Sequence, residues 1–201
     1  MAQSPQLKQS SPTSPDPQDF RLDATPAMRA DNVVSGDHWR IGLITDSLVR
    51  FEWSDSGVFE NRPTQTVLNR DFGSPVERRV TERDGRVIID TAALTIVYDQ
   101  QPFSKEGLSV VVKGVATQFN TWHYGDAPRG NLKGTARTLD EADGAIELDN
   151  GVISRDGWAV IDDSAANIII ETDTVNGKAN PFGTWESPRA TAETDLYFFG
   201  Y

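Results

Sequence analysis

His38–Trp53, HWRIGLITDSLVRFEW, decides the fold. Trp39, Ile41 and Leu43 alternate with other residues before a polar break at Asp46-Ser47, and Val49, Phe51 and Trp53 alternate after it. A period of two places each trio on one face of an extended strand, so the stretch predicts two strands, each with one face turned inward. The same rhythm runs outward from there. VERRVTERDGRVIIDT (Val76–Thr91) sets Asp84-Gly85 between two runs rich in β-formers, and Asp-Gly suits the positive φ angles of a tight hairpin. Asn150-Gly151 in LDNGVIS and Asn176-Gly177 in TVNGKA predict two further hairpin turns. Leu94–Tyr98, Leu108–Val112, Ile168–Ile170 and Leu196–Phe199 are short runs of β-branched and aromatic residues. No window sustains a helical period for three turns, and no fixed-period repeat points to a propeller or solenoid. The expected fold is all-β, an antiparallel β-sandwich, with a closed barrel as the alternative.

The 201 residues suit one domain and a tail. Residues 1–19, MAQSPQLKQSSPTSPDPQD, hold hardly an apolar side chain and cannot offset the entropy of ordering by burial. We expect a disordered Pro/Ser/Gln-rich leader over residues 1–30 and the sandwich over residues 31–201. A net charge of −11 makes nucleic acid and anionic membrane surfaces poor partners and leaves a neutral ligand open. With no cysteine, disulfides, thiolate metal sites and thiol nucleophiles are excluded. No secretory signal pattern opens the chain and no apolar run reaches membrane-spanning length, so a cytoplasmic location is the expectation.

Catalytic motifs are sparse. His38 and His123 are the only imidazoles, and neither has a second ligand at metal-binding spacing, so no metal or cofactor is expected. No Gly-x-Ser-x-Gly elbow and no Gly-rich phosphate loop occurs. Carboxylates crowd one quarter of the chain: Asp140, Glu141, Asp143, Asp149, Asp156, Asp162 and Asp163. A glycosidase needs two carboxyl groups facing each other across a sugar, but adjacent Asp162 and Asp163 point to opposite faces of an extended segment. Turn or solvated-surface roles account for most of this group. Trp39 and Trp53 fall on inward positions, whereas Trp158 and Trp185 lie beside Gly and polar residues, where exposure is expected.

Four blocks, in order, carry a further signal: RIGLITDSLVRFEWSDSGVFENRPTQTVLNRDF (40–72), GNLKGTARTLDEADG (130–144), GVISRDGWAVIDDS (151–164) and TDLYFFGY (194–201). Together they resemble the amino-terminal domain of glycoside hydrolase family 31, the α-glucosidase and α-xylosidase family, from about Asp31 to the last residue. The resemblance implies a galactose-mutarotase-like sandwich packed on a (β/α)8 barrel that follows it, the barrel supplying both aspartates of a retaining mechanism. The family's nucleophile lies in a Trp-x-Asp-Met type motif, and the only methionines here are Met1 and Met28. The chain is therefore expected to hold no catalytic residue and to end about where the barrel begins. The resemblance further implies a loop lent to the rim of the barrel's sugar pocket, with Arg137, Asp140, Arg155, Asp156 and Trp158 as candidates to contact an α-linked oligosaccharide or glycoside. Lys133 departs from the pattern, standing where the family has a smaller residue.

Two other readings stay open. A stand-alone carbohydrate-binding sandwich requires exposed tryptophans around one shallow groove. An independent hydrolase or epimerase requires chemistry from the acidic cluster itself, and mutarotase chemistry asks for a His and Glu pair that these residues do not assemble.

Overall fold

A computed structural model describes residues 22–134, 143–190 and 193–201. In chain order these form β1 (Val33–Ser35), β2 (Trp39–Leu43), β3 (Leu48–Trp53), β4 (Arg79–Arg83), β5 (Arg86–Asp90), β6 (Leu94–Tyr98) and β7 (Leu108–Val112). They continue with β8 (Thr121–His123), β9 (Trp158–Asp162), β10 (Ile168–Glu171), β11 (Thr174–Val175), β12 (Lys178–Ala179), β13 (Thr184–Ser187) and β14 (Thr194–Gly200). The one helical element among the described residues is a 3-10 turn at Ala30–Asn32, and no helix is long and apolar enough to cross a membrane.

One sheet has the order β1-β2-β3-β14-β9 and the second β4-β5-β6-β7-β8, every pairing antiparallel. The expected sandwich is the observed architecture. Asp84 (φ 53°) and Gly85 (φ 73°) turn β4 into β5, and Asn176 (φ 51°) and Gly177 (φ 74°) turn β11 into β12, both as a type I′ hairpin requires. Between β2 and β3 the Thr45 hydroxyl accepts hydrogen bonds from the Ser47 and Leu48 amides, which closes the polar break.

Asn150-Gly151 differs from its expected role. No strands flank it among the described residues, and Gly151 does not adopt positive φ. The Asn131 side chain instead takes both backbone groups of Gly151, accepting from its N–H at 2.9 Å and donating to its carbonyl at 2.8 Å. A Cβ at position 151 would stand 2.7 Å from the Lys133 carbonyl oxygen, so glycine is needed here for close approach rather than for a turn.

The core lies between the two sheets. Ile41, Leu43, Val49, Phe51 and Phe198 meet Ile89, Ile96, Leu108, Val110 and Trp122, and Trp122 stacks on Phe51 at 5.9 Å. Alternation therefore sorts β2, β3, β5, β6, β7 and β14 as expected, each strand burying every second side chain against the other sheet.

The opposite face of the first sheet is also buried. Arg50 and Glu52 of β3 and Asp195 and Tyr197 of β14 point away from the apolar core, yet all are inaccessible or nearly so. Two chain-distant segments cover them, residues 54–78 and the β10–β13 hairpin, which meet where Thr64 bridges Ile168. Residues 25–28, which composition assigns to the leader, join this cover. The Thr25 carbonyl accepts from the Arg70 amide at 2.8 Å, and Arg70 Nη1 donates to the Pro26 carbonyl at 2.8 Å. Residues 1–21 of the expected leader lie outside the described residues.

Candidate functional site

The Ser154–Trp158 turn is built by backbone ties from three directions. Residues 130–132 run beside 153–155, the Arg155 amide donating to the Gly130 carbonyl and the Leu132 amide to the Ile153 carbonyl. The Ser154 hydroxyl donates to the Trp158 carbonyl and accepts from the Asp156 amide, which folds the turn on itself. Tyr201 closes the third side: its hydroxyl donates to the Ser154 carbonyl and accepts from the Ser154 amide, while its own amide donates to the Gly157 carbonyl. Gly157 sits at φ 81° and lies so close to Val115 that a Cβ would approach Cγ1 to 3.1 Å. Both the angle and the space call for glycine.

This turn separates the residues that sequence reading grouped as one rim. Arg137 and Asp140 lie outside the described residues. Arg155 is exposed, and its guanidinium makes no hydrogen bond or ion pair among the described residues, so it does not pair with Asp156. Asp156 turns inward, 4% exposed, with Oδ2 accepting the Arg129 backbone N–H at 2.7 Å. Trp158 corrects the expectation of exposure. It is 3% exposed, stacks on Phe198 at 6.3 Å and donates its indole N–H to the Phe119 carbonyl at 2.9 Å. As the first residue of β9, beside β14, it belongs to the inward face, and burial of an indole outweighs the polarity of its sequence neighbours. Trp185 is 50% exposed, as expected.

Asp156 and Trp158 help to line a cavity of about 310 Å³, together with Phe119, Thr121, His123 and Arg129. At its mouth Lys105 donates to Asp126 at 2.5 Å, and His123 Nδ1 stands 3.4 Å from the other oxygen of the same carboxylate. Burial pushes the Asp126 carboxyl up, but the Lys105 ammonium, the His123 backbone N–H and the His123 ring outweigh it and hold the group below the ordinary aspartate value. The Arg129 guanidinium lies 4.7 Å from the centroid of the Phe119 ring, in cation–π contact. Sequence reading set His123 aside as structural and did not raise Lys105, Asp126 or Arg129. The His123-x-x-Asp126 spacing is the one local signal that could have found the pair, and nothing in the sequence joins it to Asp156.

The larger ionic cluster lies on the buried back of the first sheet. Arg50 grips Asp195 in two parallel hydrogen bonds, Nε to Oδ1 at 2.8 Å and Nη2 to Oδ2 at 2.7 Å, and its Nη1 stands 3.0 Å from Glu52. Arg40 holds Glu52 at 2.5 Å, and Arg189 reaches Asp195, Glu193 and Asp163. Burial pushes the Glu52 carboxyl above its ordinary value against the pull of Arg50 and Arg40. Burial pushes Asp195 up as well, but two arginines outweigh it and hold it below 3.8. Tyr197 is pushed up to about 12, chiefly by burial. Every carboxylate here has a guanidinium partner, so the cluster works as an internal fastening rather than a poised acid and base.

Asp162 and Asp163 do not face each other. Asp163 is buried, accepting from the Thr64 hydroxyl at 2.9 Å, whereas Asp162 is exposed and accepts from the Ser164 amide at 3.0 Å. No group of three or more His, Asp or Glu among the described residues is placed to hold a metal ion. Comparison with protein-family models and with curated proteins finds no match to this chain.

Proposed function

We propose that this chain is the non-catalytic amino-terminal domain of a retaining α-glycoside hydrolase. It packs on a following (β/α)8 barrel and lends that barrel the loop carried by residues 131–153. The observation that carries the reading is a concentration of exposed apolar side chains on this segment: Leu132 (56%), Ile146, Leu148, Val152 and Ile153 (53%). Each is large, and Leu132 and Ile153 pair directly beside the Ser154–Trp158 turn, the Leu132 amide donating to the Ile153 carbonyl. Water-facing surfaces seldom gather such residues without a partner to cover them. Tyr201 is tied to the same turn, so a polypeptide continuing from it starts beside this pair. In this reading the exposed Arg155, with Arg137 and Asp140, forms the sugar-pocket rim, its guanidinium donating charge-assisted hydrogen bonds to hydroxyl groups.

The native polypeptide from its source tests the reading. The expected product is several times heavier than 22.1 kDa and cleaves 4-nitrophenyl α-glucoside or α-xyloside, while the 201-residue chain alone does not. A native product of this size, or a larger one without α-glycosidase activity, overturns it. Leu132→Glu with Ile153→Glu adds a second measure: unchanged melting of the 201-residue chain, but lowered melting of the native polypeptide.

A further inference from the structure

We propose that the sandwich itself carries a saccharide-binding site, in the cavity between β8, the Phe119 loop and the Asp156 turn. The site goes beyond the hydrolase reading, because every residue it uses belongs to this domain. Its volume of about 310 Å³ lies at the small end of ligand pockets and suits one pyranose ring.

The Asp156 carboxylate carries the argument. It is 4% exposed and rigidly held, yet only Oδ2 is occupied, by the Arg129 N–H. Oδ1 makes no hydrogen bond among the described residues, and it is not one of the sealed, unpartnered buried atoms. Asp156 lines the cavity, so this unpartnered oxygen is the acceptor that its carboxylate offers to a ligand there. A buried carboxylate oxygen without a donor costs free energy, and a ligand hydroxyl supplies the missing bond.

The other groups select the ligand class. Lys105 and His123 are already matched to Asp126, and the Arg129 guanidinium rests on Phe119. What remains available is one carboxylate oxygen, the N–H donors of the Arg129 guanidinium, the Thr121 hydroxyl, the Gln118 amide and the exposed Phe119 ring. One strong acceptor, the guanidinium donors, two neutral hydrogen-bonding groups and an apolar wall match a neutral ring bearing hydroxyl groups on its rim and C–H bonds on its face. The Asp156 carboxylate in the lining repels an anionic ligand.

Titration of the 201-residue chain with methyl α-D-glucopyranoside, followed by amide and indole NMR shifts, tests the site. Saturable shifts at Thr121, Arg129, Asp156 and the Trp158 indole are expected, with Kd about millimolar. Asp156→Asn keeps an acceptor for the Arg129 N–H but loses the charge, and should weaken binding about tenfold or more. Thr121→Val removes a hydroxyl without touching Asp156 and should weaken it several-fold, which keeps the test decisive if the Asn variant fails to fold. Absence of saturable shifts, shifts confined to other residues, or wild-type affinity in Thr121→Val overturns the proposal. So does an equal response to ammonium chloride, which would make the carboxylate a simple cation site. Hydrolysis is read separately on the native polypeptide, so failure of either idea leaves the other standing.

Discussion

Removing the Asp195 carboxylate tests whether the buried ionic cluster fastens the back of the first sheet. In Asp195→Ala, Arg50 loses both arms of its bidentate pair and Arg189 loses one of its partners, while both guanidinium groups stay shut away from water. Arg50 and Asp195 are each 0% exposed, so water does not replace the lost bonds without opening the cover formed by residues 54–78. Removing one partner of a buried ion pair costs roughly 3–5 kcal/mol, because its hydrogen-bond donors are left unmet in the interior even though Glu52 stays 3.0 Å from Arg50. For a domain of this size each kcal/mol moves Tm by about 2–4 °C, giving an expected drop of roughly 6–20 °C. Thermal and urea unfolding followed by circular dichroism measure it. The double variant Arg50→Met, Asp195→Leu removes both charges together, and its cost should fall well below the sum of the two single costs. A single-variant loss below about 1 kcal/mol, or strict additivity in the cycle, would refute the fastening role.

The same pair sets a pH dependence. Because the Asp195 carboxyl is held below its ordinary 3.8, its contribution to stability is complete above that pH and is lost as pH falls through the lowered value. The stability gap between wild type and Asp195→Asn should therefore be full at neutral pH and shrink below pH 3.8, which urea titrations at several pH values read directly. Lys133→Gly should be neutral or stabilising by up to about 1 kcal/mol, since Lys133 sits at φ 63° where a side chain is strained; clear destabilisation would show that its bond to Asn150 matters more. Trp158→Ala should cost about 3–5 kcal/mol by opening a hole beside Phe198, and a loss near zero would mean the indole is not part of the core.

Sequence alone determined the central strands of both sheets and two of the three Asx-Gly turns, but not the short edge strands β1 and β8. Alternation in His38–Trp53 and the Asp84-Gly85 turn are local properties, fixed by the two-residue period of a strand and by positive φ, and the folded chain keeps both. The third turn failed because Asn150-Gly151 answers to Asn131, about twenty residues away, whose side chain takes both of its backbone groups. Alternation in β3 assigns Arg50 and Glu52 a face but not what later covers it, because the partner Asp195 lies 145 residues along the chain. Trp158 looked exposed from its Gly and Asp neighbours, yet its place at the start of β9, against Phe198, buries it. Of the candidate site, Asp156 was visible as a polar interruption, whereas its tie to Arg129 and its meeting with Thr121 and His123 were not. Those contacts exist only once two antiparallel sheets close, because the burial that makes one carboxylate oxygen available to a ligand is a property of the packed molecule and of no local stretch of it.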